Sequence, residues 1–159
     1  MEQILVTISD MKISHRKDHV LVTHSLGSCL GLTAHDPLAG VGGLIHCLLP
    51  RYRPERMRAD HNPFMFVNTG VPEMIRALLN KGAERGRLVL KAAGCARMLN
   101  VMNQFDTGAK NFAALQQLLQ KNNVALAAQE TGGTIPRTMY LHIETGKVTI
   151  SSCGKQWEL

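Results

Sequence analysis

The stretch from Thr23 to Pro50 constrains the fold more than any other. It reads Thr23-His24-Ser25-Leu26-Gly27-Ser28-Cys29, an apolar run to His35, a turn at Asp36-Pro37-Leu38-Ala39-Gly40, and Val41-Gly42-Gly43-Leu44-Ile45-His46-Cys47-Leu48-Leu49-Pro50. Two apolar and alternating runs separated by Asp-Pro and Gly predict two antiparallel strands joined by a short hairpin. With Asp36 to Ala39 as the loop, His35 faces Gly40 and Cys29 faces His46. Directly opposed residues of an antiparallel pair hold their Cβ atoms roughly 4.5–5.5 Å apart on one face, within reach of a thiol–imidazole hydrogen bond. A slip of one residue would send the two side chains to opposite faces.

That pairing has a chemical reading. A thiol is a weak nucleophile until ionised, and a neighbouring imidazole takes its proton and later gives one to a leaving group. Gly27, two residues before the cysteine, lets the backbone turn sharply, so that amide N–H groups around Gly27 and Ser28 face a developing oxyanion. Thr23 offers a hydroxyl for the other ring nitrogen of His46, which completes a Cys29-His46-Thr23 triad. Spacing alone also fits a second reading, since free cysteine is among the most buried residue types and packs as a small hydrophobe.

The residues from Val22 to Leu30, followed by Asp36-Pro37, Gly42-Gly43 and His46 before Leu48-Leu49-Pro50, resemble the chemoreceptor glutamine deamidase family, CheD. Asn111 after Gly108-Ala109-Lys110, the Glu130-Thr131-Gly132-Gly133-Thr134 turn and Glu144-Thr145-Gly146-Lys147-Val148 extend the resemblance over essentially the whole chain. It departs from the family at Gly94-Cys95-Ala96 and at Ile135-Pro136-Arg137. The resemblance implies a three-layer α/β/β sandwich. It also implies a thiol amidohydrolase with Cys29 as nucleophile, His46 as base and Thr23 as third residue. Implied with these are conversion of glutamines to glutamates on the cytoplasmic helices of methyl-accepting chemoreceptors, binding to a CheC-type phosphatase, and no cofactor. The competing reading is a non-catalytic chemotaxis adaptor that binds receptors or CheC.

Composition limits the other classes. A chain of 159 residues predicts a single domain, residues 1–159, able to bury a core without disulfides or metal. Its four cysteines form no C-x-x-C pair and no charged-then-apolar leader opens the sequence, which predicts a reduced, cytoplasmic setting. No apolar run approaches the roughly 20 residues that span a bilayer, so direct membrane insertion is not expected. The net charge of +6 suits an acidic surface of several kinds. Its densest part, Arg51 to Arg58, lacks the aromatic residues and recognition motifs of a nucleic-acid binder and reads as a solvated loop, with Arg51 and Arg53 as candidate docking residues. His15, His19, His24, His35 and His61 show no metal-ligand spacing and read as surface or loop histidines.

Elsewhere, Ile4–Ile8 and Val20–Thr23 read as strands around a polar loop at Ser14–Asp18. Val71, Met74, Ile75, Leu78 and Leu79 recur at helical spacing, with Pro72 in the first turn and Gly82 past the end. A strand over 88–93 runs into Gly94, whose missing side chain permits close backbone approach beside the nucleophile. Cys47 and Cys95 are assigned no catalytic role. After a loop from Met98 to Thr107, a second helix carries Phe112, Leu115, Leu118 and Leu119 and ends at Asn122-Asn123. Strands are expected over 124–128, 138–143 and 147–151, and Trp157 in the tail reads as a packing anchor. Many strands with two amphipathic helices predict a layered α/β fold with mixed or antiparallel sheets.

Overall fold

The computed structural model describes residues 1–58, 61–98 and 106–159. Ten strands and two main helices follow one another as β1 (Glu2–Leu5), β2 (Asp10–Ser14), β3 (His19–Leu26), β4 (Leu30–Asp36), β5 (Val41–Cys47), α1 (Val67–Asn80), β6 (Val89–Gly94), α2 (Thr107–Lys121), β7 (Ala128–Thr131), β8 (Arg137–His142), β9 (Val148–Ser152) and β10 (Lys155–Glu158). They form two five-stranded sheets, ordered β1-β3-β8-β9-β10 and β2-β5-β4-β6-β7. Each is mixed, with one parallel edge pair, β1 with β3 and β6 with β7.

Strand alternation divides the apolar residues between two cores. Leu30, Leu32 and Ala34 of β4, with Val41, Ile45 and Cys47 of β5, face Met74 and Leu78 of α1 and Leu115 of α2. Cys29 and Leu44 point the other way, toward Leu26, Met139, Leu141 and Ile150 of the first sheet. Helices, second sheet and first sheet therefore make three layers, α/β/β, as the resemblance implies.

The β4–β5 hairpin forms where expected, with a different register. Asp36 pairs with Val41, and Gly31, not Cys29, stands opposite His46. The cause is Asp36. Its buried carboxylate accepts from the N–H groups of Leu38 and Ala39 and from Arg87, which keeps it in the strand and moves the loop to 37–40. Gly40, at φ +68°, supplies the left-handed turn residue. The shift spans two residues, so it preserves faces, and Cys29 and His46 stay on one side of the sheet as diagonal neighbours.

Other differences are local. Helix α1 starts at Val67, a turn before the expected start, because the chain after β5 caps it: the N–H groups of Val67 and Asn68 donate to the carbonyls of Leu49 and Pro50. Pro72 is therefore inside the helix rather than in its first turn. Strand β2 and strand β10 were not expected. The latter closes a hairpin through Cys153 (φ 52°) and Gly154 (φ 77°), so the tail is a strand that pairs Trp157 with Ile150. Strand β7 lies later than expected, and Glu130 and Thr131 belong to it rather than to a turn. His35 is a correction to the surface reading: it is buried on the inter-sheet face, with Nε2 donating to the Ile143 carbonyl at 2.8 Å and Gly146 closely covering the ring. Asn100, Asn103 and Gln104, read as loop residues, lie outside the described residues.

Candidate active site

Three elements bring the proposed triad together. Thr23 lies on β3 of the first sheet, pointing inward, and the strand then bulges at His24 and Ser25, where Ser25 adopts φ 60°. The chain next crosses from the first sheet to the second through Gly27, Ser28 and Cys29, and continues as β4. His46 lies within β5, between β2 and β4, with Asp10 paired to it on one side and Gly31 on the other. Thr23 and His46 are joined by a hydrogen bond, whereas Cys29 and His46 share the inter-sheet face as diagonal neighbours with no hydrogen bond between Sγ and Nε2. All three residues are buried, Cys29 at 7% exposure being the least so.

The hydrogen bonds assign the tautomer of His46. Thr23 Oγ1 lies 2.6 Å from the Val6 carbonyl oxygen and 2.7 Å from His46 Nδ1. A hydroxyl has one proton and a carbonyl only accepts, so the Thr23 proton goes to Val6 and Nδ1 must donate its own to Oγ1. The lone pair is left on Nε2. That atom is buried and has no hydrogen-bond partner among the described residues. Burial alone pulls the imidazole down to a pKa of about 4 and pushes the Cys29 thiol above its ordinary value. Thiol and imidazole are thus both neutral near pH 7, and the imidazole is in the form that accepts a proton.

A family model described as CheD chemotactic sensory transduction matches residues 48–152. A protein of Solibacter usitatus named "Probable chemoreceptor glutamine deamidase CheD" is 41% identical over 159 residues, covering 100% of this chain and 94% of its own length. The chain belongs to the CheD family. Proteins with the same name in Symbiobacterium thermophilum and Thermococcus kodakarensis are 40% and 38% identical, covering 94% and 92% of this chain and 92% and 90% of their own lengths. The family-model match begins after His46, so geometry rather than that match bears on Thr23, Cys29 and His46 in this CheD chain.

Around the thiol, the backbone is tightly held. The Cys29 carbonyl accepts from the Cys95 N–H and the Gly27 carbonyl from the Ala96 N–H, both at 2.8 Å. Gly94, at φ +94°, faces the Cys29 carbonyl so closely that a Cβ there would overlap the oxygen, which is the close approach expected of that glycine. The side chain of Cys95 belongs to the helix-facing core, and burial, with the neighbouring Cys29, pushes its thiol up to about 12. Cys47 is likewise buried in that core and raised by burial. Arg137, of the departing Ile135-Pro136-Arg137 segment, is buried. It pairs with Glu130 at 2.8 Å and donates to the carbonyls of Gly94 and Gly132.

Some groups around the candidate site had no signal in the sequence. The Val6 carbonyl is a backbone atom brought in by parallel pairing of β1 with β3, which no side-chain pattern announces. Asn111 was noted only for family likeness; from α2 its amide reaches the carbonyls of Ser28 (2.9 Å) and Leu48 (3.2 Å). The loop after β5 is pinned by Tyr52, which stacks on His61 and donates its backbone N–H to Asn68 Oδ1. Arg53 is exposed and Arg51 half-buried. Among the described residues no group of His, Cys, Asp and Glu is arranged to hold a metal ion, and no helix is long and apolar enough to cross a membrane.

Proposed function

We propose that this chain, as a single domain, deamidates glutamine side chains on the cytoplasmic helices of methyl-accepting chemoreceptors to glutamate, with Cys29 as nucleophile and His46 as base. The observation that carries this reading is the buried, unpartnered Nε2 of a histidine whose other nitrogen is committed to Thr23. Neutral resting groups mean that attack and proton transfer are coupled. As Sγ bonds to the carboxamide carbon, its proton passes to Nε2, and the oxyanion is met by backbone N–H groups at Ser28 and Cys29. Nε2–H then protonates the departing amine, the C–N bond breaks and ammonia leaves a thioester. Water, giving a proton to Nε2, attacks the thioester, and the thiolate leaves and recovers that proton, releasing glutamate.

The exposed Arg53 and its neighbour Arg51 follow the strand that bears His46, so a receptor helix with acidic residues would dock beside the thiol. A CheC-type phosphatase is the second partner under this reading, and the cytoplasm is where both partners would be met. The test is mass spectrometry of a purified chemoreceptor cytoplasmic fragment incubated with the protein. Each conversion of Gln to Glu adds about one dalton, and a folded Cys29→Ala variant should produce none. Equal conversion by wild type and Cys29→Ala would end the nucleophile assignment.

A further inference from the structure

Asn111 is absorbed by neither fold nor triad. It is fully buried on α2, yet both of its reachable partners are backbone carbonyls of the site: Ser28, just before the thiol, and Leu48, two residues after His46. Two carbonyls accept only from the Nδ2 side, which fixes the amide's orientation and leaves Oδ1 buried with no partner among the described residues. A carboxamide that leaves its own oxygen unpaired in the interior is a poor choice for stability alone.

The consequence lies in the peptide that Asn111 grips. The Ser28 carbonyl and the Cys29 N–H belong to one planar trans unit and point in opposite directions. Holding the carbonyl from α2 therefore aims the Cys29 N–H away from the helix. The preceding unit is held in the same way, since the Gly27 carbonyl is bound by the Ala96 N–H, which orients the N–H of Ser28. Among the described residues nothing accepts from either N–H, whereas all three carbonyls from Gly27 to Cys29 are occupied. We propose that Asn111 is a positioning residue that orients the Ser28–Cys29 peptide so that the Cys29 N–H donates to the oxyanion formed on the substrate carboxamide. Polarisation of the peptide by the bond to its carbonyl also makes that N–H a better donor.

This inference rests on the reading of Cys29 as nucleophile, and its test separates the two. Iodoacetamide alkylates Cys29 by displacement at a saturated carbon, which reports on the thiol and His46 without forming an oxyanion. Ammonia release from a purified chemoreceptor cytoplasmic fragment needs the oxyanion. In Asn111→Ala, with folding checked by thermal unfolding, kcat for ammonia release should fall about 10- to 100-fold, part of what loss of a whole oxyanion donor costs. KM and the alkylation rate of Cys29 should stay within about twofold. Unchanged ammonia release, or an alkylation rate that falls as far as kcat, would overturn the proposal. Should Asn111→Ala not fold, Asn111→Leu nearly keeps the side-chain volume while losing the Nδ2 donors, and the same split between kcat and alkylation decides. Ammonia release by Cys29→Ala would remove the underlying reading as well.

Discussion

His46 shows how burial sets chemistry one residue at a time. Its imidazole is held neutral by desolvation, so the protonated form, which could not act as the proposed base, appears only as pH approaches about 4. The acid limb of kcat/KM for ammonia release should therefore lie well below the ordinary imidazole value, and a limb at 6.5 or above would contradict the burial argument. The same shift is linked to stability. Between the unfolded value of about 6.5 and the folded value of about 4, the unfolded chain binds more protons, so stability is lost as pH falls through this window. Denaturant titrations should show wild type losing about 3 kcal/mol more than His46→Gln between pH 7 and pH 4. Asp36, whose carboxylate burial alone would raise, is held below its ordinary value by Arg87 and three backbone N–H groups, and its loss follows at lower pH. Under the proposed mechanism Thr23 supplies orientation. A neutral hydrogen bond contributes roughly 0.5–1.5 kcal/mol, or about 2–15-fold in rate. Thr23→Ala also strands Nδ1–H and the Val6 carbonyl, so its loss of ammonia release should reach or exceed the top of that range, while Thr23→Ser should stay near wild type. Activity of Thr23→Ala equal to wild type would remove the orienting role.

At the scale of elements, β6 does more than fill the second sheet. Its last residue, Gly94, has both a positive φ and the Cys29 carbonyl where a Cβ would sit. Gly94→Ala should cost about 1–3 kcal/mol in denaturant unfolding from backbone strain and overlap. It should also lower ammonia release sharply if the proposed mechanism holds, because the carbonyl that must move belongs to Cys29, the proposed nucleophile. A stable, fully active variant would show that the Cys29 backbone tolerates displacement. Legibility followed the same division. The interior strands β3, β4, β5, β6, β8 and β9 were all readable, because burial imposes apolar or alternating patterns on them. The four edge strands were not: β1 and β7 lay off their expected positions, and β2 and β10 were not expected. An edge strand answers to one neighbour and carries charge to deter further pairing, as in Asp10-Met11-Lys12-Ile13-Ser14 and Lys155-Gln156-Trp157-Glu158. Its period is correspondingly weak. Of the candidate site residues, Thr23 and His46 were legible as a pair because their side-chain types announce a hydrogen bond, and the structure places them 2.7 Å apart. The exact pairing was not, because it depended on Asp36 finding Arg87, a contact between residues far apart in sequence.

The whole molecule enters through the contact between Thr23 and His46, which joins the first sheet to the second. Packing between the sheets therefore sets the distance of an orienting hydrogen bond, while packing between the helices and the second sheet leaves it untouched. Leu141→Ala opens the inter-sheet core, and Leu78→Ala opens the core beneath α1; both side chains are fully buried. Each should cost about 2–5 kcal/mol by denaturant unfolding, since a buried leucine loses both transfer free energy and packing contacts. Activity should separate them. Relaxation into the Leu141 cavity shifts one sheet against the other and should lower kcat per folded molecule several-fold, with an acid limb moved toward ordinary imidazole values as His46 gains solvent. Relaxation around Leu78 moves α1 against a sheet whose inner face stays in register, so kcat per folded molecule should remain within about twofold of wild type at equal loss of stability. Comparable losses of kcat in both variants would mean that the triad depends on overall rigidity rather than on the alignment of the two sheets.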